Sequence, residues 1–76
     1  MDTNHTAKVS QIESRLIAEY ENGFEALGIV DNDRHAMDRA NVFLARLDPD
    51  RDRCPLRFVI ATRYGHRQID RTLFEC

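Results

Sequence analysis

A chain of 76 residues with a net charge of −2 and 42% hydrophobic residues suits one small globular domain. Its first nine residues have no positively charged leader and no apolar core, which argues against a secretory signal. No apolar run approaches the ~20 residues of a membrane span. We therefore expect a soluble, cytoplasmic protein without membrane association.

The charge is divided unevenly along the chain. Residues 1–33 hold seven acids and two bases, or −5, and residues 34–76 hold nine arginines and six acids, or +3. Such an imbalance can direct one face towards an acidic partner. A small imbalance is also typical of an ordinary solvated surface, so charge alone predicts no ligand.

The first half of the chain is predicted to be helical. Residues 1–5 are expected to fray, and residues 6–28 to form the first helix. Their apolar residues recur at spacings of three and four, as on one face of a helix. Gly28 then suits the left-handed position after a helix end. The apolar positions are Val9, Ile12, Leu16, Tyr20, Phe24 and Leu27.

A rival interpretation starts from the dipeptide Asn22-Gly23, which is a strong hairpin signal. It would end the helix there and make Phe24–Val30 a strand. Gly23 inside a helix is destabilising by roughly 1 kcal/mol relative to alanine. We favour the helix, because Phe24 and Leu27 both remain on its apolar face.

A second helix is predicted for residues 31–47. Asp31-Asn32-Asp33 provides side chains that cap a helix N-terminus and complement its dipole. Pro49 ends the helix, and residues 48–53, DPDRDR, form a charged connector. The apolar side of this helix is expected to contain Ala36, Met37, Ala40, Phe43, Leu44 and Leu47.

Residues 55–75 are predicted to form a β-hairpin. Residues 56–63 are rich in β-branched and aromatic side chains. Gly65-His66 suits a two-residue type II′ turn, because glycine takes positive φ without a Cβ clash. The resulting register pairs Tyr64 with Arg67, Thr62 with Ile69, and Phe58 with Leu73. A longer loop would shift this register by one residue and exchange the two faces.

These elements predict an α+β fold of the order α-α-β-β, with two N-terminal helices packed on a C-terminal antiparallel hairpin. A single hairpin is marginal in water and leaves two strand edges unpaired. We therefore expect a homodimer in which the second strand, Gln68 to Phe74, pairs with its mate. That pairing would give a four-stranded sheet across the dimer.

The sequence predicts no catalytic residue, no cofactor and no metal. Asp48, Asp50 and Asp52 alternate as in the first half of an EF-hand. However, Arg53 stands where that loop needs glycine, and Val59 where it needs a bidentate glutamate. The three histidines lack metal-ligand spacing. We expect a protein that is not an enzyme.

The two cysteines are predicted to meet at the open end of the hairpin, where Cys76 would face Pro55 and lie near Cys54. A cytosolic protein normally keeps such thiols reduced. We expect two small, partly buried thiols.

The best candidate contact surface is the arginine-rich hairpin, since arginine combines bidentate hydrogen bonding with stacking. We expect a non-enzymatic protein-binding module of the regulator or inhibitor type, similar only in size to small phage or mobile-element inhibitors. The alternative is a dimeric nucleic-acid-binding regulator, which the net negative charge disfavours. The predicted partner-binding residues are Arg57, Arg63, Tyr64, His66, Arg67 and Arg71.

Overall fold

The computed structural model describes residues 12–76. In chain order the described elements are β1 (Ile12–Tyr20), β2 (Gly23–Val30), α1 (Asp33–Arg46), β3 (Arg57–Tyr64) and β4 (Arg67–Glu75). The four strands form one antiparallel sheet in the order β2-β1-β3-β4. Two local hairpins therefore lie side by side, and β1 and β3 are the central strands.

The predicted first helix is wrong for residues 12–28, which form β1, a turn and most of β2. Residues 6–11 of that prediction, and residues 1–5 that were expected to fray, lie outside the described part. The alternation of β1 explains the error. Leu16 and Ala18 are buried on one side, and the residues between them face the other. Apolar residues at this density satisfy a period of two as well as a period of 3.6.

The rival strand at Phe24–Val30 is confirmed as part of β2, although its turn lies one residue earlier than predicted. Tyr20 pairs with Gly23, so the connecting residues are Glu21 and Asn22. The α-α-β-β fold and the proposal of four strands shared across a dimer are therefore wrong. The four strands belong to one chain.

The prediction for α1 is confirmed within a few residues. Asn32 is its N-cap, and the Asn32 side chain accepts a hydrogen bond of 2.8 Å from the backbone N–H of His35. Ala36 and Ala40 are fully buried against the sheet. These small side chains let the helix approach closely, whereas Met37 is 37% exposed.

The C-terminal hairpin is also confirmed. Tyr64 pairs with Arg67 and Thr62 with Ile69, as predicted. Gly65 has a φ of 61°, and no described residue other than glycine has positive φ, which is the type II′ pattern. Phe58, however, pairs with Phe74 instead of Leu73, because a β-bulge inserts one residue into β4.

The core lies between α1 and one face of the sheet. Phe58 is fully buried there, with its ring centroid 5.9 Å from that of Phe43 and 5.1 Å from that of Phe74. These separations lie within the range in which aromatic pairs attract each other. The buried cluster consists of Leu16, Ala18, Val30, Ala36, Ala40, Phe58 and Ile60.

Gly28 lies where β2 contacts α1. It has a φ of 112°, next to a bulge that displaces the β1–β2 register between Leu16 and Ile17. The guanidinium of Arg39 donates from Nη1 to the carbonyl oxygen of Leu27 at 3.0 Å. A Cβ on residue 28 would lie 2.7 Å from that Nη1, so the flexible end of Arg39 would have to shift. The positive φ is the feature that favours glycine here.

Candidate functional site

The sheet face opposite α1, called here the open face, is not covered by any described element. Strand pairing places residue 24 of β2 opposite Glu19, residue 29 opposite Arg15, and residue 59 of β3 opposite Ile17. Paired residues project to the same side of a sheet. The apolar side chains on this face are Ile17, Phe24, Ala26, Ile29, Val59 and Ala61.

These side chains form an apolar strip across β2, β1 and β3. Phe24 and Ile29 are the most prominent, with 73% and 54% of their surface exposed. Val59 lies in the middle of the sheet and is buried among its neighbours, with 6% exposed. Two large side chains thus project into solvent beside a closely packed apolar centre.

The charged side chains of the open face bind mainly to one another. Arg57 lies 2.5 Å from the carboxylate of Glu19 and 4.0 Å from that of Glu75. Arg15 lies 2.7 Å from the carboxylate of Glu13. These pairs neutralise charge within the face, so a partner that covers the apolar strip meets few uncompensated ions.

The structure divides the six predicted partner-binding residues between two faces. Arg57 and Arg63 lie on the open face, at opposite ends of β3, whereas Arg71 lies on the helix side. The turn brings the remaining residues together with Arg63 at one exposed end of the sheet. That end group consists of Arg63, Tyr64, His66 and Arg67.

Arg71 is occupied by an ion pair. Its two terminal nitrogens donate to the two carboxylate oxygens of Asp33 at 3.1 and 2.7 Å. The hydrogen bonds from Arg71 lower the pKa of Asp33, and those to Asp33 raise the pKa of Arg71. This pair fastens the first residue of α1 to β4.

We expect the Asp33–Arg71 pair to make stability depend on pH in acid. Because the folded-state pKa of Asp33 is lowered, its contribution is present above the unfolded pKa of about 3.9 and disappears as pH falls through the folded value. Asp33→Asn should reduce the melting temperature slightly at pH 7, since exposed pairs contribute little. Thermal melts from pH 7 to pH 2 should show the two proteins converging, and a constant difference would contradict this assignment. Asp50→Asn, in the exposed connector, is the control.

A groove of about 850 Å³ lies between α1 and the β1–β2 hairpin. Tyr20 is one of the side chains that line it. Its hydroxyl donates to Glu25 at 3.0 Å, and the Arg53 guanidinium lies 4.8 Å from its ring centroid. Burial, followed by the hydrogen bond to Glu25, raises the pKa of Tyr20. The groove walls carry both signs of charge, including Asp38 and Arg46, so they select no particular ligand.

The cysteine prediction needs correction. Cys76 donates its backbone N–H to the carbonyl of Leu56 at 3.0 Å, so the β4 bulge places it beside Leu56 instead of Pro55. Cys54 and Cys76 are free and exposed, not partly buried as expected. Local burial, followed by the neighbouring Cys54, raises the pKa of Cys76, which lowers its thiolate fraction at neutral pH.

Potential metal-binding groups do not converge in the described structure. In residues 12–76, no group of three or more His, Cys, Asp and Glu side chains is arranged to hold an ion. The Asp48 and Asp52 carboxylates instead accept hydrogen bonds from N–H groups of the same connector. Over the same range, no helix has the length and apolar character needed to cross a bilayer.

Sequence reasoning missed the apolar strip because it placed Ile17 and Phe24 on a helix. The alternation Leu16, Ile17, Ala18, Glu19 was the available signal, since it separates two faces of a strand. Comparison with known proteins adds no constraint: no family model, curated protein or solved structure matches this chain.

Proposed function

We propose that this domain is a non-enzymatic protein-binding module that docks its open face on a larger protein and thereby occludes part of that protein. The observation that supports this proposal is the apolar strip, with Phe24 73% and Ile29 54% exposed on a sheet face that no described element covers. Exposed apolar patches with polar surroundings are typical of protein interaction sites.

The charge arrangement also favours protein over nucleic acid as the partner. Arg57 and Arg71 are both held by carboxylates of this chain. Among the predicted hairpin contacts, Arg63 and Arg67 are left as candidates for phosphate contacts. Affinity for nucleic acid grows with the number of neutralised phosphates, so two arginines would support only weak, salt-sensitive binding.

We expect Ile29→Asp to weaken partner binding at least tenfold, because it places a charge on one of the two prominent apolar side chains of the proposed contact. Ile12→Asp is the matched control. Both residues are exposed isoleucines in strands, with 54% and 60% exposure, but Ile12 lies on the helix side, opposite Tyr64. The measurement is quantitative co-purification from the source cells after nuclease treatment, followed by titration of the purified partner.

Equal loss of the partner in both variants, or in neither, would contradict docking by the open face. Circular dichroism melts establish that both variants remain folded. Submicromolar, steeply salt-dependent binding of duplex DNA or RNA that disappears with Arg63→Ala and Arg67→Ala would favour the nucleic-acid alternative instead.

A further inference from the structure

The two outer strands of the sheet differ in their capacity to add another strand. The edge of β2 is interrupted by a bulge and by the positive φ of Gly28. The Arg39 guanidinium also occupies the carbonyl of Leu27. Bulges and charged side chains of this kind protect an edge from further pairing, so β2 is a poor acceptor.

The edge of β4 is regular over residues 67–72, because its own bulge lies beyond them at Leu73. Residues 67–72 pair with β3 without a register shift, and they contain no proline. In a hairpin with a two-residue turn, the residues flanking the turn bond to each other, and bonding residues then alternate. Arg67, Ile69 and Arg71 therefore bond to β3, and the backbone N–H and C=O groups of residues 68, 70 and 72 point outwards.

We propose that the β4 edge pairs antiparallel with β4 of a second copy of this chain, with the two-fold axis at Arg71. In this register Asp70 lies opposite Thr72 of the second copy, and each pair exchanges two backbone hydrogen bonds. The two four-stranded sheets become one continuous sheet with both helices on the same side. This assembly is independent of the open-face partner, and it doubles the apolar strip available to such a partner.

Side chains on both faces are compatible with this register. Ile69 is 49% exposed on the helix side, and it would be covered by Leu73 of the second copy, which packs against the core on that side. The two Arg71 side chains meet at the axis. Their repulsion is limited, because each guanidinium already holds the Asp33 carboxylate of its own chain at 2.7 Å.

Neighbouring registers are less favourable. An axis at Asp70 would place two carboxylates directly opposite each other, and the side chain that donates to each of them is the neutral amide of Gln68. An axis at Ile69 would pair Arg67 with Arg71 of the second copy. Like charges directly opposite are destabilising in a sheet. The axis at Arg71 also sets two like charges opposite each other, but each of these guanidiniums already holds the Asp33 carboxylate of its own chain.

Thr72→Pro tests the assembly, since it removes an outward N–H while leaving the bonds to β3 intact. Ala26→Pro on the β2 edge is the matched control. Sedimentation equilibrium at micromolar concentrations should give twice the 8.9 kDa chain mass for the wild type and for Ala26→Pro. Thr72→Pro should sediment as a folded monomer, with dimer affinity reduced at least tenfold.

A wild type that remains monomeric across the concentration range would overturn the proposal, as would a dimer that is unaffected by Thr72→Pro. If the proline variant does not fold, amide hydrogen exchange in the wild type tests whether the β4 edge forms the dimer interface. The amides of Asp70 and Thr72 should exchange slowly when the protein is dimeric and rapidly on dilution. Solvent-like exchange of both amides in a dimer would place the interface elsewhere.

Discussion

Replacing Phe58 with alanine is expected to reduce the unfolding free energy by about 3–5 kcal/mol, the usual effect of truncating a fully buried phenylalanine. Phe58 has no exposed surface, and it joins helix to sheet through the Phe43 and Phe74 rings. A domain of this size has only about 5–10 kcal/mol of stability. The variant should therefore be largely unfolded at moderately raised temperature.

Phe24 is the matched control for this substitution. It is the same residue type in the same sheet, but 73% of its surface is exposed, so Phe24→Ala should change stability by no more than about 0.5 kcal/mol. Urea unfolding followed by circular dichroism measures both values. Similar losses in the two variants would mean that the core is not centred on Phe58.

Gly28→Ala is expected to reduce the unfolding free energy by about 1–3 kcal/mol, because alanine is strained at a φ of 112°. A second contribution comes from contact, since the new Cβ would meet the Arg39 Nη1 at 2.7 Å. The arginine must move, and its hydrogen bond to Leu27 is then lost. The expected loss therefore has a backbone part and a side-chain part.

A double-mutant cycle separates these two parts. Gly28→Ala should be less destabilising in an Arg39→Ala background than in the wild type, because the clash is then absent while the backbone strain remains. Urea unfolding of the four proteins gives the coupling free energy. If the two substitutions change the unfolding free energy additively, the Arg39 side chain moves away from the new Cβ without a measurable loss of stability. A Gly28→Ala variant as stable as the wild type would contradict the positive φ.

The second half of the fold was predictable because its local signals agree with one another. Gly65-His66 suits a two-residue type II′ turn, and that turn sets the pairing of Tyr64 with Arg67. Asn32 caps α1 just before its apolar face begins. The β4 bulge was not predictable, since it places Phe74 beside Phe58 in a core that only the assembled sheet creates.

The first half was mispredicted because its residues satisfy two periods. Leu16, Tyr20, Phe24 and Leu27 lie at helical spacings, and nothing local excludes a helix except Gly23 and Gly28. Pairing of β1 with β3 stabilises the strand over the helix, since Leu16 lies beside Ile60 and Ala18 beside Phe58. Such contacts join residues distant in sequence, and they routinely override local propensity.

The candidate site likewise has one part that could be predicted from the sequence and one part that could not. The end group around the Gly65-His66 turn was predictable, because neighbouring residues of a known turn must lie together. The apolar strip was not, since it needs β1 and β2 to exist as strands. The ion pairs of Arg57 with Glu19 and of Arg71 with Asp33 also depend on tertiary structure. A list of arginines therefore overestimated the charge available to a partner.

The strand order β2-β1-β3-β4 has a consequence for how the chain folds. Each hairpin closes over two residues, an event on the scale of microseconds. The pairing of β1 with β3 instead joins positions as distant as Ile12 and Tyr64, and contacts of high sequence separation slow folding. We therefore expect the pairing of β1 with β3 to be slower than the closure of either hairpin. Doubling a flexible connecting loop adds only about 0.6 kcal/mol, so we expect the domain to tolerate a longer connector at residues 48–53 better than a change in the β1–β3 contacts.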